Sequence, residues 1–439
     1  MIPIIRHLHD NFTELPLPFD PTSLDWVFDA RVKKFKPDFY HKLFSLQPVL
    51  NLEYSILCNQ LRHNLSSPSQ VTNDQLIEQL TAALMLAELL EHVHLYYLNV
   101  PREVVRLRRQ QEVYKTLLAE KAGYSFNPEK KEPINVGFSY SQQVRDDTAW
   151  ANWYRLISSR GKRLLNLLDV VGTGSEAFRT FIGLLDKYTN PFFAYLAWCF
   201  FIPRLTLSLF LTIKHTIPGF WMSEEEASLG WFARLAAQVQ RRLFELVNDS
   251  VWATAGLLNC FLFIGALAPI SIYVNLFAFA IDVANTGFRA YVELSRLFTL
   301  QEEYTALLQK EDNADNIKAI KEYQRFIKQR IDFEYLRLGL SVANAIGVFF
   351  AMSVALPIFA LDPIFALIGA FFIVGFWTTS FILTTIIEQQ RPQDEVEIPV
   401  KVSTLGFFAG KKENSVKAPP LQESNPEEDT FNPEGHSFS

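Results

Sequence analysis

Apolar residues follow two regimes along the chain: up to about residue 190 they recur at helical intervals among charged positions, and beyond it they run together. In the first regime Leu76, Ile77, Leu80, Leu84, Ala87 and Leu90 return every three or four residues. That spacing predicts a helix from about Asp74 to Leu98, with Thr72-Asn-Asp ahead of it to cap the free N–H groups. Pro101 is expected to start a second helix, Glu103 to Lys121, whose Arg102, Arg106, Arg108 and Arg109 make a basic turn. Such a turn can meet anionic headgroups or form a solvated face. Asp146 to Leu168 reads as an amphipathic helix, interfacial or packed within a soluble region, with Trp150, Trp153 and Tyr154 on its apolar side. Residues 1–70 carry Pro3, Pro16, Pro18, Pro21, Pro37 and Pro48, so a mixed helix and loop segment is expected, with a short helix around Leu50 to Leu61.

The second regime is organised around Leu336 to Ile387, two apolar runs joined at Asp362-Pro363 and carrying only Arg337 and Asp362 as charges. Each run is close to the roughly 20 residues that cross a bilayer core as a helix. Gly339, Ala343, Gly347, Ala351 and Ala355 stand four residues apart, a stripe of small side chains that admits a neighbouring helix. Two earlier runs, 191–213 and 251–284, join 337–360 and 363–387 as four expected spans. Pro203-Arg204 interrupts the first, and an arginine near mid-span must face protein or water. Its expected partner is a helix carbonyl or Asn259. Ala268-Pro269 interrupts the second run, read as one kinked crossing because no polar turn accompanies the proline, with a broken re-entrant pair as the alternative. Between spans two and three, Phe288, Tyr291, Leu294, Phe298, Tyr304 and Leu308 continue the helical period. Glu311-Asp-Asn breaks it, and Ile317 to Tyr335 resumes it. The expectation is an antiparallel helical stalk, 288–335, projecting about 35 Å.

The fold class that follows is all-α: an integral membrane four-helix bundle, 191–387, with a helical cytosolic region over 71–190 and a projecting hairpin. Lys and Arg are densest beside the stalk, which places stalk, N-terminus and tail in the cytoplasm.

Composition sharpens this. Of 439 residues 49% are hydrophobic and 20% charged, with mean hydropathy +0.07, too polar for a wholly embedded chain. Net charge is -6, and the segment from Glu388 holds ten acidic against five basic residues, so the acidity belongs to a tail, 388–439, expected to be disordered. No basic surface for nucleic acid is expected. Cys58, Cys199 and Cys260 form no disulfide or zinc pattern. The start lacks a signal-peptide apolar stretch, so the first span is expected to direct insertion.

Chemistry is sparse. Glu88, Glu91, His92 and His94 include one ExxH spacing of the kind that di-iron bundles use in pairs. A packed polar cluster is the simpler reading, so no metal and no cofactor are expected. HExxH, GxxxxGK[ST] and GxSxG are missing, and no catalytic residue is assigned. Arg204, Asn259, Asn275 and Asn344 are the intramembrane polar candidates, to hold helices together or to line a path.

The tail resembles the carboxyl-terminal signal of effectors exported by the Dot/Icm type IV secretion system of intracellular bacteria. Glu423, Glu427, Glu428 and Asp429 match its glutamate-rich block, with Phe438 as the hydrophobic residue near the end. The resemblance spans about the last twenty residues and implies a translocated protein inserted in a host membrane; otherwise a bacterial inner membrane is expected. The expected function is non-catalytic interaction or scaffolding, with the bilayer and a protein at the cytosolic helices or stalk as partners. Oligomers are compatible with this reading, and a small-solute channel or transporter is the alternative.

Overall fold

The computed structural model describes residues 24–35, 37–67, 71–127, 143–148, 175–354 and 363–392, with isolated positions beside them. The described chain is mostly helical and holds no strand, only one bridge between Asp25 and Ser125. Eight long helices carry it: α1 (Pro37–Ser66), α2 (Asn73–His92), α3 (Pro101–Ala122), α4 (Glu176–Thr216), α5 (Trp231–Leu257), α6 (Ile270–Gln309), α7 (Ala314–Val354) and α8 (Pro363–Gln389). The all-α class is therefore as expected. The 146–168 helix, the acidic tail and Ala355 lie largely or wholly outside the described residues.

Two compact units divide the chain. The first draws on the described residues up to 136, on 300–330 and on Pro392, Glu395 and Val396; the second on 137–299 and 331–391.

In the first unit α2 is the central helix, buried all round from Gln79 to Glu91. A helix without a polar face needs neighbours on every side. Thr72 and Gln75 close a capping box at its start, each side chain bonded to the other's backbone N–H. Pro101 occupies the first turn of α3, where its missing N–H is harmless, and Gly123 ends that helix in the left-handed conformation at φ +70. α1 departs from the expectation of a broken segment: it is one helix of 30 residues with Pro48 inside it. A proline in a helix interior costs about 3 kcal/mol. Burial of Tyr40 and Leu43 before it and of Leu50, Tyr54 and Leu57 after it offsets that cost.

The stalk is also corrected. It does form an antiparallel pair, but its far end does not project: Leu300, Tyr304, Ile320, Tyr323, Phe326 and Ile327 are buried in the first unit. Tyr304 Oη donates to Glu53 Oε1 at 2.9 Å, Tyr323 Oη donates to the Glu53 carbonyl at 3.3 Å, and the His63 and Phe326 rings meet edge-on. Residues read as a free arm are core partners of α1, because Tyr304, Tyr323 and Phe326 stand where α1 meets them.

In the second unit the helices pair antiparallel in succession. α4 meets α5 through Phe201–Trp252 and Tyr195–Phe261, and α5 meets α6 through Phe244–Phe288 and Trp252–Phe279. α7 meets α8 where Phe350 touches Phe372 and where the Phe376 ring covers Gly347. Phe201, Trp252, Ala253, Ala255, Ala278 and Phe279 form the core, with Val348, Phe349 and Met352 against it.

The run 251–284 is not one kinked helix. After α5 come one π turn (Leu258–Leu262) and one 3-10 turn (Gly265–Leu267), and the chain then reverses into α6. Gly265 makes the reversal at φ +60. The π and 3-10 hydrogen bonds of Phe263, Leu267 and Ala268 satisfy backbone groups that an ordinary loop would offer to polar residues or water. An apolar sequence can therefore turn here. Among the described residues this unit draws on five helices, α4, α5 and the adjoining parts of α6, α7 and α8, where four spans are expected.

Candidate interaction and membrane surfaces

α6 and α7 are the two described helices long and apolar enough to cross a membrane. Only 17% and 22% of their most apolar windows are buried inside the protein, so most of that apolar surface faces outward. An outward apolar surface of this extent suggests association with a membrane.

A charged belt bounds the apolar zone. Arg289 Nε donates to Glu293 Oε1 at 2.6 Å, and Arg337 contacts Glu293 at 3.2 Å and Glu334 at 2.8 Å. Arg391 pairs with Glu388 at 3.5 Å, and the α7–α8 register brings this pair to the same level. From the belt to the apolar turns α6 runs 19 residues and α7 runs 17, about 29 Å and 26 Å at 1.5 Å per residue. Over those lengths Asp282 is the single charge. The dimension matches a hydrocarbon core of about 30 Å.

The four intramembrane candidates all bridge helices. Arg204 on α4 makes a bidentate pair with Asp249 on α5, Nε to Oδ2 at 2.7 Å and Nη2 to Oδ1, with the carboxylate wholly buried. This corrects the expected partner, Asn259. Asn259 instead donates to Asn275 at 2.7 Å, joining the end of α5 to α6, and Asn344 on α7 accepts from the Ser380 hydroxyl on α8. The structure brings Asn259 and Asn275 together; Arg204 and Asn344 each belong to a separate pair.

Of the small-residue stripe, Gly347 and Ala351 are buried, and a Cβ at Gly347 would stand 2.5 Å from the Phe376 ring. Gly339 and Ala343 are exposed, with nothing near the Gly339 Cβ position. The close approach thus uses one half of the stripe.

Asp249 belongs to a polar row that the sequence reading passed over. Arg234, Gln238, Arg242, Glu245 and Asp249 follow at three and four residue steps on one face of α5, and all but half-buried Glu245 are buried. Arg204, Ser208, Thr212 and His215 make the matching row on α4. His215 Nδ1 meets Glu226 Oε1 at 2.8 Å, and Arg234 reaches the carbonyls of Glu226 and Ala227. From Arg204 and Asp249 to His215 and Arg234 the seam between α4 and α5 is polar, while Leu209, Phe210 and Ile213 face outward. The three and four residue spacing was the signal that could have found it.

A second missed feature is the α4–α5 connection, which exposes Phe220 (98%), Trp231 (64%) and Phe232 (69%) beside Trp221. The Trp221 ring lies over Gly219 and its Nε1 donates to the Lys214 carbonyl at 2.8 Å, holding the turn.

In the first unit, the metal-like residues separate. Trp26 Nε1 donates to both Glu88 oxygens at 3.1 and 3.2 Å, and burial, with Asp29 nearby, pushes the Glu88 carboxyl up to about 8. Glu91 accepts from Arg108 (2.7 Å), Gln111 (2.7 Å) and Lys131 (2.6 Å). Burial raises its pKa, but these donors outweigh it and hold the carboxylate below its usual range. His92 stacks on Tyr40 with centroids 4.2 Å apart, and burial pushes it down to about 4. His94 Nδ1 meets the Leu90 carbonyl at 2.8 Å. No group of three potential metal ligands occurs among the described residues. Of the basic turn of α3, Arg106 is spent on Glu103 at 2.9 Å and Arg108 on Glu91. Tyr54 and Tyr114 share a hydrogen bond at 3.0 Å beside Cys58, and burial holds both phenols neutral.

No family model, curated protein or solved structure matches this chain.

Proposed function

We propose that the chain is a multi-pass integral membrane protein that binds a protein partner without catalysis. The observation that carries this is the exposed ridge of Phe220, Trp221, Trp231 and Phe232. The α5–α6 register puts Leu243 opposite Arg289 of the charged belt, and Trp231 stands 12 residues further out, about 18 Å from the belt. Acyl chains do not reach there, so an aromatic surface of this kind suits a protein. Lys and Arg are densest in the α6–α7 hairpin beyond the belt, so by the positive-inside rule we read the belt side as cytoplasmic. Export through a Dot/Icm-type system into a host membrane extends the reading, supported by the tail residues Glu423 to Asp429; the bacterial inner membrane is the other location.

Three measurements test it. Wild-type protein should stay in membranes through a carbonate wash. In a background without native cysteines, Gly265→Cys and Asp312→Cys should label from opposite sides. A photo-crosslinker at Phe232 should then give a discrete protein adduct that Phe220→Ser with Trp231→Ser removes while membrane integration persists. An unchanged adduct overturns the docking surface.

The second reading, a small-solute channel or transporter, is favoured by the polar seam between α4 and α5. Solute flux into liposomes holding wild-type protein, above that of empty liposomes, would replace the first reading.

A further inference from the structure

The aromatic ridge at the α4–α5 connection carries a charge of one sign. From Thr216 to Ala233 the chain holds three glutamates and no lysine, arginine or histidine. Glu226 is buried and spent on His215 at 2.8 Å. Glu224 stands exposed and Glu225 half-buried, and among the described residues no cation pairs with either. The helix they open, Glu224–Ser228, is only five residues long and already capped, the Ser223 hydroxyl accepting from the Glu226 N–H at 3.1 Å. Local structure therefore leaves both carboxylates uncompensated.

Aromatic rings flank them. Phe220 and Trp221 meet edge-on before the short helix with centroids 4.9 Å apart, and Trp231 and Phe232 do so after it at 5.9 Å. The turn is held from inside, where Arg234 Nη1 donates to the Glu226 and Ala227 carbonyls and Leu229 is buried. An exposed indole face attracts a cation, and a guanidinium can lie flat on it while its edge donates to a carboxylate. Holding rings and carboxylates in place beforehand lowers the entropy lost on binding.

We propose that the ridge of Phe220, Trp221, Trp231 and Phe232, with Glu224 and Glu225, docks an arginine-bearing apolar segment of the partner protein. Such an occupant rests on the docking surface proposed above and fixes what it must carry: guanidinium groups for the carboxylates and indoles, and aliphatic side chains for the phenyl rings. The two carboxylates repel an acidic segment and an anionic lipid surface alike.

The experiment uses the full chain in phosphatidylcholine nanodiscs, with empty nanodiscs as the blank, and a short fluorescein-labelled peptide of alternating leucine and arginine. Anisotropy compares it with a counterpart carrying citrulline, which keeps the shape of arginine without its charge. Wild type should bind the arginine peptide about tenfold more tightly, and Glu224→Gln with Glu225→Gln, outside the core, should remove that preference. Trp231→Leu, which keeps an apolar side chain there, should weaken the arginine peptide about threefold. Equal binding of the two peptides, binding of neither, or a preference that survives the double glutamine variant overturns the proposal. The crosslinker at Phe232 separates it from the docking surface itself. An adduct whose linked segment holds arginine, and which the double glutamine variant removes, supports it. An adduct that Phe220→Ser with Trp231→Ser removes and the glutamine variant leaves intact keeps the docking surface and sinks the arginine-bearing occupant. Absence of any adduct sinks the docking surface, and the peptide titration still decides the chemistry of the ridge.

Discussion

The two units solve opposite solvation problems with the same element. In the first, α2 is hidden and its acids meet donors from several elements: Glu88 from Trp26, and Glu91 from Arg108, Gln111 and Lys131. In the second, large apolar side chains face outward and polar groups close on one another between adjacent helices, as Arg204 does with Asp249 and Asn259 with Asn275. Where water surrounds a unit, burying carbon drives packing. On the proposed membrane reading hydrocarbon surrounds the second unit, where carbon gains nothing by burial and interhelical polar pairs and close contacts such as Gly347–Phe376 hold the helices.

The contrast breaks hardest at Asp249. Asp249→Ala leaves the Arg204 guanidinium without its carboxylate, and a loss of about 3–5 kcal/mol is expected, read as a fall in folded yield and melting temperature in detergent. Arg204→Met with Asp249→Leu should recover most of it, since a shape-matched apolar pair removes both charges. In the first unit Ile327→Ala should cost about 2–4 kcal/mol in denaturant unfolding. A freely projecting arm would lose under about 0.5 kcal/mol by the same change. Gly347→Leu should then cost about 1–3 kcal/mol through overpacking against Phe376, seen as a lower melting temperature in detergent.

The smallest effects are in pH. The Glu88 carboxyl is raised in the folded state, so its contribution is full below its ordinary value of 4.5 and is lost as pH rises through about 8. His92 is lowered, so its contribution is full above 6.5 and is lost as pH falls through about 4. Thermal melts of Glu88→Gln should lose the decline from pH 4.5 to 8, and those of His92→Phe the decline from 6.5 to 4.

Local signals were readable and long-range ones were not. The spacing of α2, its Thr72 cap and Pro101 at the start of α3 are encoded within a few residues of one another, and the helices begin where those residues stand. Pro48 misled because a helix that loses one hydrogen bond can be held by side chains on both sides of the gap. The turn after Leu262 entered the sequence reading only as the alternative, a broken pair, because backbone bonds, not polar side chains, satisfy it. Asp249 lay in what reads as a connecting segment, 45 residues from the arginine it neutralises. Glu53 meets Tyr304 across 251 residues, a pairing that no periodicity announces.

That last contact sets an order of events at the ribosome. The N-terminal helices leave the exit tunnel long before Tyr304, Tyr323 and Ile327 are synthesised, and α4 and α5 are made in between. The core of the first unit stays unfinished throughout that interval, with apolar faces exposed to water. A holding chaperone during translation is the expected companion of such a chain, and truncation before Leu300 should yield aggregates rather than a folded N-terminal fragment.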